Sequence, residues 1–312
     1  MRRAVILGGT GAIGGATALT LASQGWQVEV TGRDAAAMPA ALTAAGVRFH
    51  AVDRSNSSAV GGIIGGGADV LVDVVAYSAK DIQGLLPAMT SVGNTVVLSS
   101  RAVYIDADGR HINGDEAPRF PVPIREDNPT LPPAADDTDP FSRSGYAPSK
   151  VAVEQTALDS GLPVTIIRPS KVHGRWARNP RTASFVEAML RGDRRIELAR
   201  QGRSIDHLTA ASNTAALIQT IADLPGRRVL NSADPDTPTA SDIIQRIAER
   251  LAWDGTIERL DDAAAADRGA HPWDAAHPIV LGTSASLHLG YTPVGAGIGL
   301  LAEEIDWVAA RH

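Results

Sequence analysis

The chain has 312 residues, a formal net charge of -6 and no cysteine. A length at the edge of what one core supports predicts one large α/β domain with a smaller C-terminal lobe. The acidic balance argues against a nucleic-acid surface, which draws its affinity from clustered Lys and Arg, and the missing thiols exclude disulfides, thiolate catalysis and Cys-ligated zinc.

The opening "MRRAVILGG" is basic but places only four apolar residues before its first glycine, too few for a signal-peptide core. No later stretch reaches the roughly 18 apolar residues of a membrane span. The expectation is a soluble cytoplasmic protein whose partner is a small molecule, with no metal, nucleic acid or membrane.

In chain order, apolar runs at 4–7, 28–31, 49–52, 70–75, 95–99 and 164–168 alternate with helical patterns. Such alternation predicts βαβ units and a parallel sheet. The first run leads into "ILGGTGAIGG", with five glycines in eight residues. Glycine inside an element costs about 0.5–1 kcal/mol relative to alanine, so the cluster needs a reason. Gly8, Gly11 and Gly14 form G-x-x-G-x-x-G between a strand and a predicted helix over 12–23. That arrangement lets the backbone approach a pyrophosphate at the positive end of the helix. Gly8, Thr10, Gly11, Ala12, Ile13 and Gly14 are therefore candidate cofactor residues, the alternative being a tight turn with no ligand.

The second strand ends in "VEVTGRD". At this place an acidic residue accepts from the adenosine 2′-hydroxyl and an arginine pairs with a 2′-phosphate. Arg33 occupies it and Asp34 comes one residue late, which favours NADP over NAD; a solvated arginine is the alternative. Asp53 in "FHAVDRS" suits either the adenine edge or a helix N-cap. The glycine-rich "SAVGGIIGGGAD" reads as a poor helix. Residues 105–145 carry seven prolines, and a loop that long is usually functional or disordered.

Before that loop, "VVLSSRAVY" puts Ser99 and Ser100 at the carboxyl edge of a strand, where open α/β folds bind ligands. After it, "SGYAPSKVAVEQ" spaces Tyr146 and Lys150 on one helical face, with Pro148 confined to the first turn. A phenol of pKa about 10 becomes a useful acid/base when a neighbouring ammonium lowers that value, although this spacing also arises by chance on many surfaces. Beyond residue 169 the strand rhythm fades and helices are predicted over 182–191, 212–223 and 240–251.

Taken in order, "GGTGAIG", Asp53, "LSSRAVY", "YAPSK" and "IIRPSKVHG" resemble the extended short-chain dehydrogenase/reductases, the NAD-dependent epimerase/dehydratase family. "RRVLNSADPDTPTASDIIQRIAERL" is similar to that family's C-terminal lobe, and the resemblance spans about residues 3 to 252. It implies a Rossmann-type doubly wound parallel sheet over 1–170 and a smaller α/β substrate lobe over 171–312, with some segments of the latter returning to the first domain. It further implies that Ser100 is the catalytic serine, four residues before Tyr104 of the V-Y pair, and that Tyr146 is the acid/base. Lys150 would lower the pKa of Tyr146 and hold the nicotinamide ribose. Pro169 joins the cofactor residues, and Ser99 is expected to bond backbone. Relatives often dimerise through a helix bundle, so a homodimer is compatible.

Within the family, nucleotide-sugar dehydratases carry Thr-Asp-Glu where this chain has Ser100, Arg101 and Ala102, so dehydration is not expected. Epimerase/reductases acting on GDP-sugars need a cysteine that is absent. "RSIDHLTAAS" keeps the arginine and histidine of R-D-F-x-H-V-D-D, as Arg203 and His207, but replaces both later carboxylates, which weakens a 4-epimerase reading. Arg101, Arg203 and His173, the last from "VHG" in place of V-Y-G, are candidate substrate residues; His173 and His207 suit a structural role equally. The favoured reading is an NAD(P)-dependent oxidoreductase acting on a carbonyl or alcohol. A nucleotide-sugar epimerase with retained NAD and a non-catalytic dinucleotide sensor are the alternatives.

Overall fold

The computed structural model describes residues 1–261 and 268–312. Six strands lead the fold, β1 (Arg3–Leu7), β2 (Gln27–Gly32), β3 (Arg48–Ala51), β4 (Ala68–Asp73), β5 (Val92–Leu98) and β6 (Val164–Pro169). Three short strands follow, β7 (Lys171–His173), β8 (Arg195–Leu198) and β9 (Leu208–Ala210), before β10 (Arg228–Ser232) and β11 (Thr256–Arg259). The helices are α1 (Ala12–Ser23), α2 (Ala40–Ala44), α3 (Ser57–Ile64), α4 (Ala79–Met89), α5 (Tyr146–Asp159), α6 (Ala183–Leu190), α7 (Ala211–Ala222) and α8 (Ala240–Arg250).

Seven strands form one parallel sheet in the order β10-β6-β5-β4-β1-β2-β3, so the chain returns to the sheet edge with β10. This is a Rossmann-type doubly wound α/β fold. Winding reverses between β1 and β4, where Leu7 and Asp73 pair at the carboxyl ends, and a crevice opens at such a reversal. Helices cover both faces, which is why the strands read as near-continuous apolar runs. On one face Leu21 of α1 and Leu217, Ile218 and Ile221 of α7 pack against Ile6, Val72 and Val96. On the other, Val60, Ile64, Ile82, Leu85 and Val153 from α3, α4 and α5 meet Val5, Leu71 and Val97. The buried Glu29 in β2 is compensated by Arg3 Nε at 2.8 Å and His50 Nε2 at 2.6 Å.

The poor helix expected in "SAVGGIIGGGAD" is a regular one. Asn56 caps α3 by accepting from Ala59 N at 3.0 Å, Val60 and Ile64 are fully buried, and Gly65 at φ +55° ends it. Burial at two positions outweighs low propensity along the rest, since tertiary packing supplies most helix stability.

The 105–145 segment is neither helix nor strand but is packed: Phe120 and Ile124 join Val103, Tyr104, Ile279 and Leu281 in a small core of their own. Asp106 fastens its first turn by accepting from the backbone N–H of Asp108, Arg110 and Arg119. A further core lies among the C-terminal elements. Phe185, Ile243, Ile244 and Ile247 surround the buried Trp273, against Ile305 from the helix Ala302–Ala309.

Candidate active site

At the end of β1 the glycines answer to different constraints. Gly8 has φ +83°, and a Cβ there would lie 2.6 Å from Val75, while one on Gly14 would lie 2.4 Å from the Gly8 carbonyl oxygen. Both are therefore required by the fold itself. Gly11 has φ -91°, open to any residue, and a Cβ on it would meet nothing nearer than 4.0 Å. It is also the N-cap of α1, where no side chain caps the helix and no acidic residue stands in the first turn. The space beside Gly11 and the uncapped N–H groups together fit a dinucleotide pyrophosphate.

Gly8, Gly11, Ala12, Ile13 and Gly14 line one side of a cleft of about 620 Å³, and Ser100, Tyr146, Lys150 and Pro169 line the other. Thr10, Arg33 and Asp53 line an adjoining groove of about 420 Å³ that shares Gly8, Val75 and Tyr77 with the cleft. Arg33 and Asp53 are exposed there; the Ser55 hydroxyl and N–H, helped by the Arg33 charge, hold the Asp53 carboxyl below its usual range. Asp34 is occupied elsewhere, capping a short 3-10 turn by accepting from Ala36 N at 2.8 Å.

Tyr146 opens α5 and Lys150 lies one turn further on the same face. The Lys150 ammonium is buried and donates to the carbonyls of Ala76 at 2.6 Å and Leu98 at 3.0 Å, 4.8 Å from the centre of the Tyr77 ring. Burial brings its pKa down to about 8, against the opposing pull of Asp73, Glu154 and Asp81. The expectation that Lys150 lowers the Tyr146 pKa does not hold in this state. Burial raises the phenol, a hydrogen bond with Ser100 opposes that rise, and the ammonium is turned to backbone. Ser100 Oγ also accepts from Ala102 N at 3.1 Å, starting a one-turn 3-10 helix.

Ser99 bonds a side chain rather than backbone. Its hydroxyl donates to Glu154, which Arg168 grips at 2.6 and 2.9 Å, and Arg168 lies over the Tyr104 ring. Arg101 lines the cleft, but its guanidinium is committed to the Asp206 carboxylate and to Ser170 Oγ.

Two expected substrate residues lie away from the cleft. His173 is 1% exposed, with Nε2 3.1 Å from Asp234, because β7 pairs with β9 and turns that side chain inward. Arg203 is exposed and faces a separate groove of about 190 Å³. His207 is structural: Nε2 donates to the Asp234 carbonyl at 2.8 Å and Nδ1 accepts from Leu281 N at 3.1 Å, which defines a neutral ring.

The cleft also contains residues that motif reading passed over. Tyr77 carries Lys150 on its ring and has Phe141 5.1 Å away, and Lys171, Arg178 and Arg181 stand on the β7 side. Arg54 pairs with buried Asp73 at 2.5 Å and leaves Nη1 buried without a partner. The run "RPSKVHGRWARNPR" signals this in its count of basic residues alone. The segment bearing Arg178 and Arg181 is held at both ends by Glu304, fully buried, which accepts from Gly174 N and from the N–H and hydroxyl of Thr182. Among the described residues there is no group of side chains able to hold a metal ion, and no helix long and apolar enough to cross a membrane.

The model of the NAD dependent epimerase/dehydratase family matches residues 4–223, well over half of the chain. The chain belongs to that family. No curated protein matches this family member in sequence. Among solved structures it is similar to the Bordetella bronchiseptica enzyme WbmH in complex with NAD+, at 17% identity, 98% coverage of each chain and a TM-score of 0.75. It is likewise similar to UDP-glucose-4-epimerase from Stenotrophomonas maltophila with bound NAD and formylated UDP-arabinopyranose, at 15% identity, 100% and 99% coverage and a TM-score of 0.75. A third is dTDP-glucose 4,6-dehydratase from Bacillus anthracis in complex with NAD, at 15% identity, 98% and 96% coverage and a TM-score of 0.72. At these identities the likeness is one of fold.

Proposed function

We propose that this family member is an NAD(P)-dependent oxidoreductase acting on a carbonyl or alcohol carbon of a small molecule, with Tyr146 as acid and base. One observation carries the reading: Tyr146, Ser100 and Lys150 line the same cleft as the glycine loop. A nicotinamide dinucleotide held by Gly8, Gly11, Ala12, Ile13 and Gly14 supplies the hydride, or accepts one in the reverse direction.

The protein's part is to place and move a proton. A phenol raised by burial stays protonated at neutral pH, so Tyr146 is ready to donate to a substrate oxygen as that oxygen gains charge. Ser100 donates a hydrogen bond to the same oxygen and so stabilises the developing charge. The Lys150 ammonium, anchored by Ala76 and Leu98, supports the phenolate left behind. In the oxidative direction the proton returns to Tyr146.

Arg33 in the adenosine groove, with Asp34 withdrawn into a cap, supports NADP as the cofactor. The second reading is a nucleotide-sugar epimerase with retained NAD, favoured by similar structures that hold NAD and a nucleotide sugar. The joint presence of Ser100, Tyr146 and Lys150 in the cleft argues against a dinucleotide sensor without turnover. Denaturing the freshly purified protein and identifying released nucleotide by mass separates these readings. An empty protein that then binds NADPH more tightly than NADH supports the oxidoreductase, whereas near-stoichiometric NAD overturns it in favour of the epimerase.

A further inference from the structure

The cleft carries a charge pattern that proton and hydride transfer do not require. Its lining contains Arg101, Lys150, Lys171, Arg178 and Arg181, and no aspartate or glutamate among the described residues. Lys150 is bound to backbone carbonyls, and Arg178 also lines the adenosine groove, where it serves the cofactor side. The remaining cations form one cluster. Arg101 uses both terminal nitrogens on Asp206, and Lys171 Nζ lies 2.5 Å from the same carboxylate while also donating to the Pro272 carbonyl. A single carboxylate thus faces two cations. Half-buried Arg181 lines the same cleft and adds a third. Positive charge in excess on a partly dehydrated wall is costly until an anion joins it.

The position of the cluster says which part of a ligand it meets. Arg101 directly follows Ser100 and reaches Ser170 Oγ at 3.2 Å, while Lys171 and Arg181 are absent from the adenosine groove. An anion held there shares the cleft with Ser100 and Tyr146 instead of lying in the adenosine groove. Arg203, the substrate candidate carried over by motif matching, faces another groove. The cleft of about 620 Å³ must also take the nicotinamide end of the cofactor, which leaves room for a small molecule.

We propose that the substrate is compact and carries a carboxylate or phosphate close to the carbon that is reduced or oxidised, bound by Lys171 and Arg181 while Asp206 fixes Lys171 and Arg101. This deepens the oxidoreductase reading and rests on it for the identity of the reacting carbon. The test is calorimetric titration of the whole chain, with NADP+ added, using malonate, inorganic phosphate and uridine diphosphate as probes. Malonate or phosphate binds, and binding weakens about tenfold or more in both Lys171→Gln and Arg181→Gln while NADP+ binding stays within about twofold. The Arg181 variant keeps the test decisive where Lys171→Gln fails to fold. Tighter malonate identifies a carboxylate and tighter phosphate a phosphate ester. Failure of both to bind, or binding unchanged in Arg181→Gln, overturns the proposal. So does uridine diphosphate binding about a hundredfold tighter than either, because the cations would then serve a nucleoside diphosphate.

Turnover of matched ketones with NADPH separates the two readings. Bound anion without reduction of any 2-oxo acid or phosphorylated ketone keeps the anion site and sinks the oxidoreductase. Equal kcat/KM for charged ketones and their neutral esters keeps the oxidoreductase and sinks the anion site.

Discussion

The two walls of the cleft are built on different principles. The β1 wall presents backbone: glycines, uncapped N–H groups and a helix end, drawn from residues within seven places of one another. The β7 wall presents long cationic side chains whose positions depend on partners far away in sequence, Asp206 for Arg101 and Glu304 for the segment bearing Arg178 and Arg181. Backbone sites suit a ligand shared by a whole family, and side-chain sites suit one that distinguishes its members.

The largest break in this comparison comes from Tyr146, on the wall opposite the glycine loop. Tyr146→Phe is expected to lower kcat by about 10²–10⁴ while leaving nucleotide affinity unchanged, checked by steady-state kinetics beside a binding titration. Retention of full activity would remove Tyr146 from the mechanism. On the backbone wall itself, Gly14→Ala forces a Cβ onto the Gly8 carbonyl oxygen and is expected to destabilise the fold by about 1–3 kcal/mol. Gly11→Ala has open space around it, so its Tm should stay near the wild-type value while NADP+ binding weakens about tenfold. Thermal melts run beside titrations decide the matter, and equal Tm losses at the two positions would mean that Gly11 is held by packing after all.

A smaller effect is expected at the adenosine groove, where Arg33→Ala should weaken NADPH about tenfold more than NADH. Equal losses remove the support for NADP. The pH profile gives a finer signature. Lys150 loses its ammonium as pH rises through about 8, so activity falls on that limb. Stability moves the other way: a folded-state pKa below the unfolded value means that the cost of keeping the buried charge is present below about 8 and is relieved between about 8 and 10.5. Opposite slopes in rate and Tm over that window mark Lys150, and parallel ones exclude it. Smallest of all, Arg203→Ala should leave kcat/KM within about twofold, since its side chain lies outside the cleft; a larger loss would mean that the second lobe closes further over substrate.

Legibility in the sequence followed the range of the interactions. The glycine turn, the Tyr146 and Lys150 spacing and the strand alternation are local patterns, and the structure places them as those patterns imply. Propensity underrates helix α3, whose stability comes from Val60 and Ile64 contacting the sheet. For Arg203 and His173 the sequence offers only matching positions in a motif, and such matching carries no information about which way a side chain turns. The pairings that occupy His173 and Arg101, with Asp234 and Asp206, join residues 61 and 105 apart. The direction of the Tyr146 shift was likewise invisible, because burial and the carbonyls that engage Lys150 belong to the folded molecule.

Glu304 gathers its three hydrogen bonds from Gly174 and Thr182, which bracket the arc carrying Arg178 and Arg181. The carboxylate works as a clasp: with both ends of the arc gathered on one side chain, the span between the cations is fixed by a buried residue outside the cleft lining. The spacing of the cations on one wall is thus set by the packing around Glu304, independently of the backbone that builds the other wall.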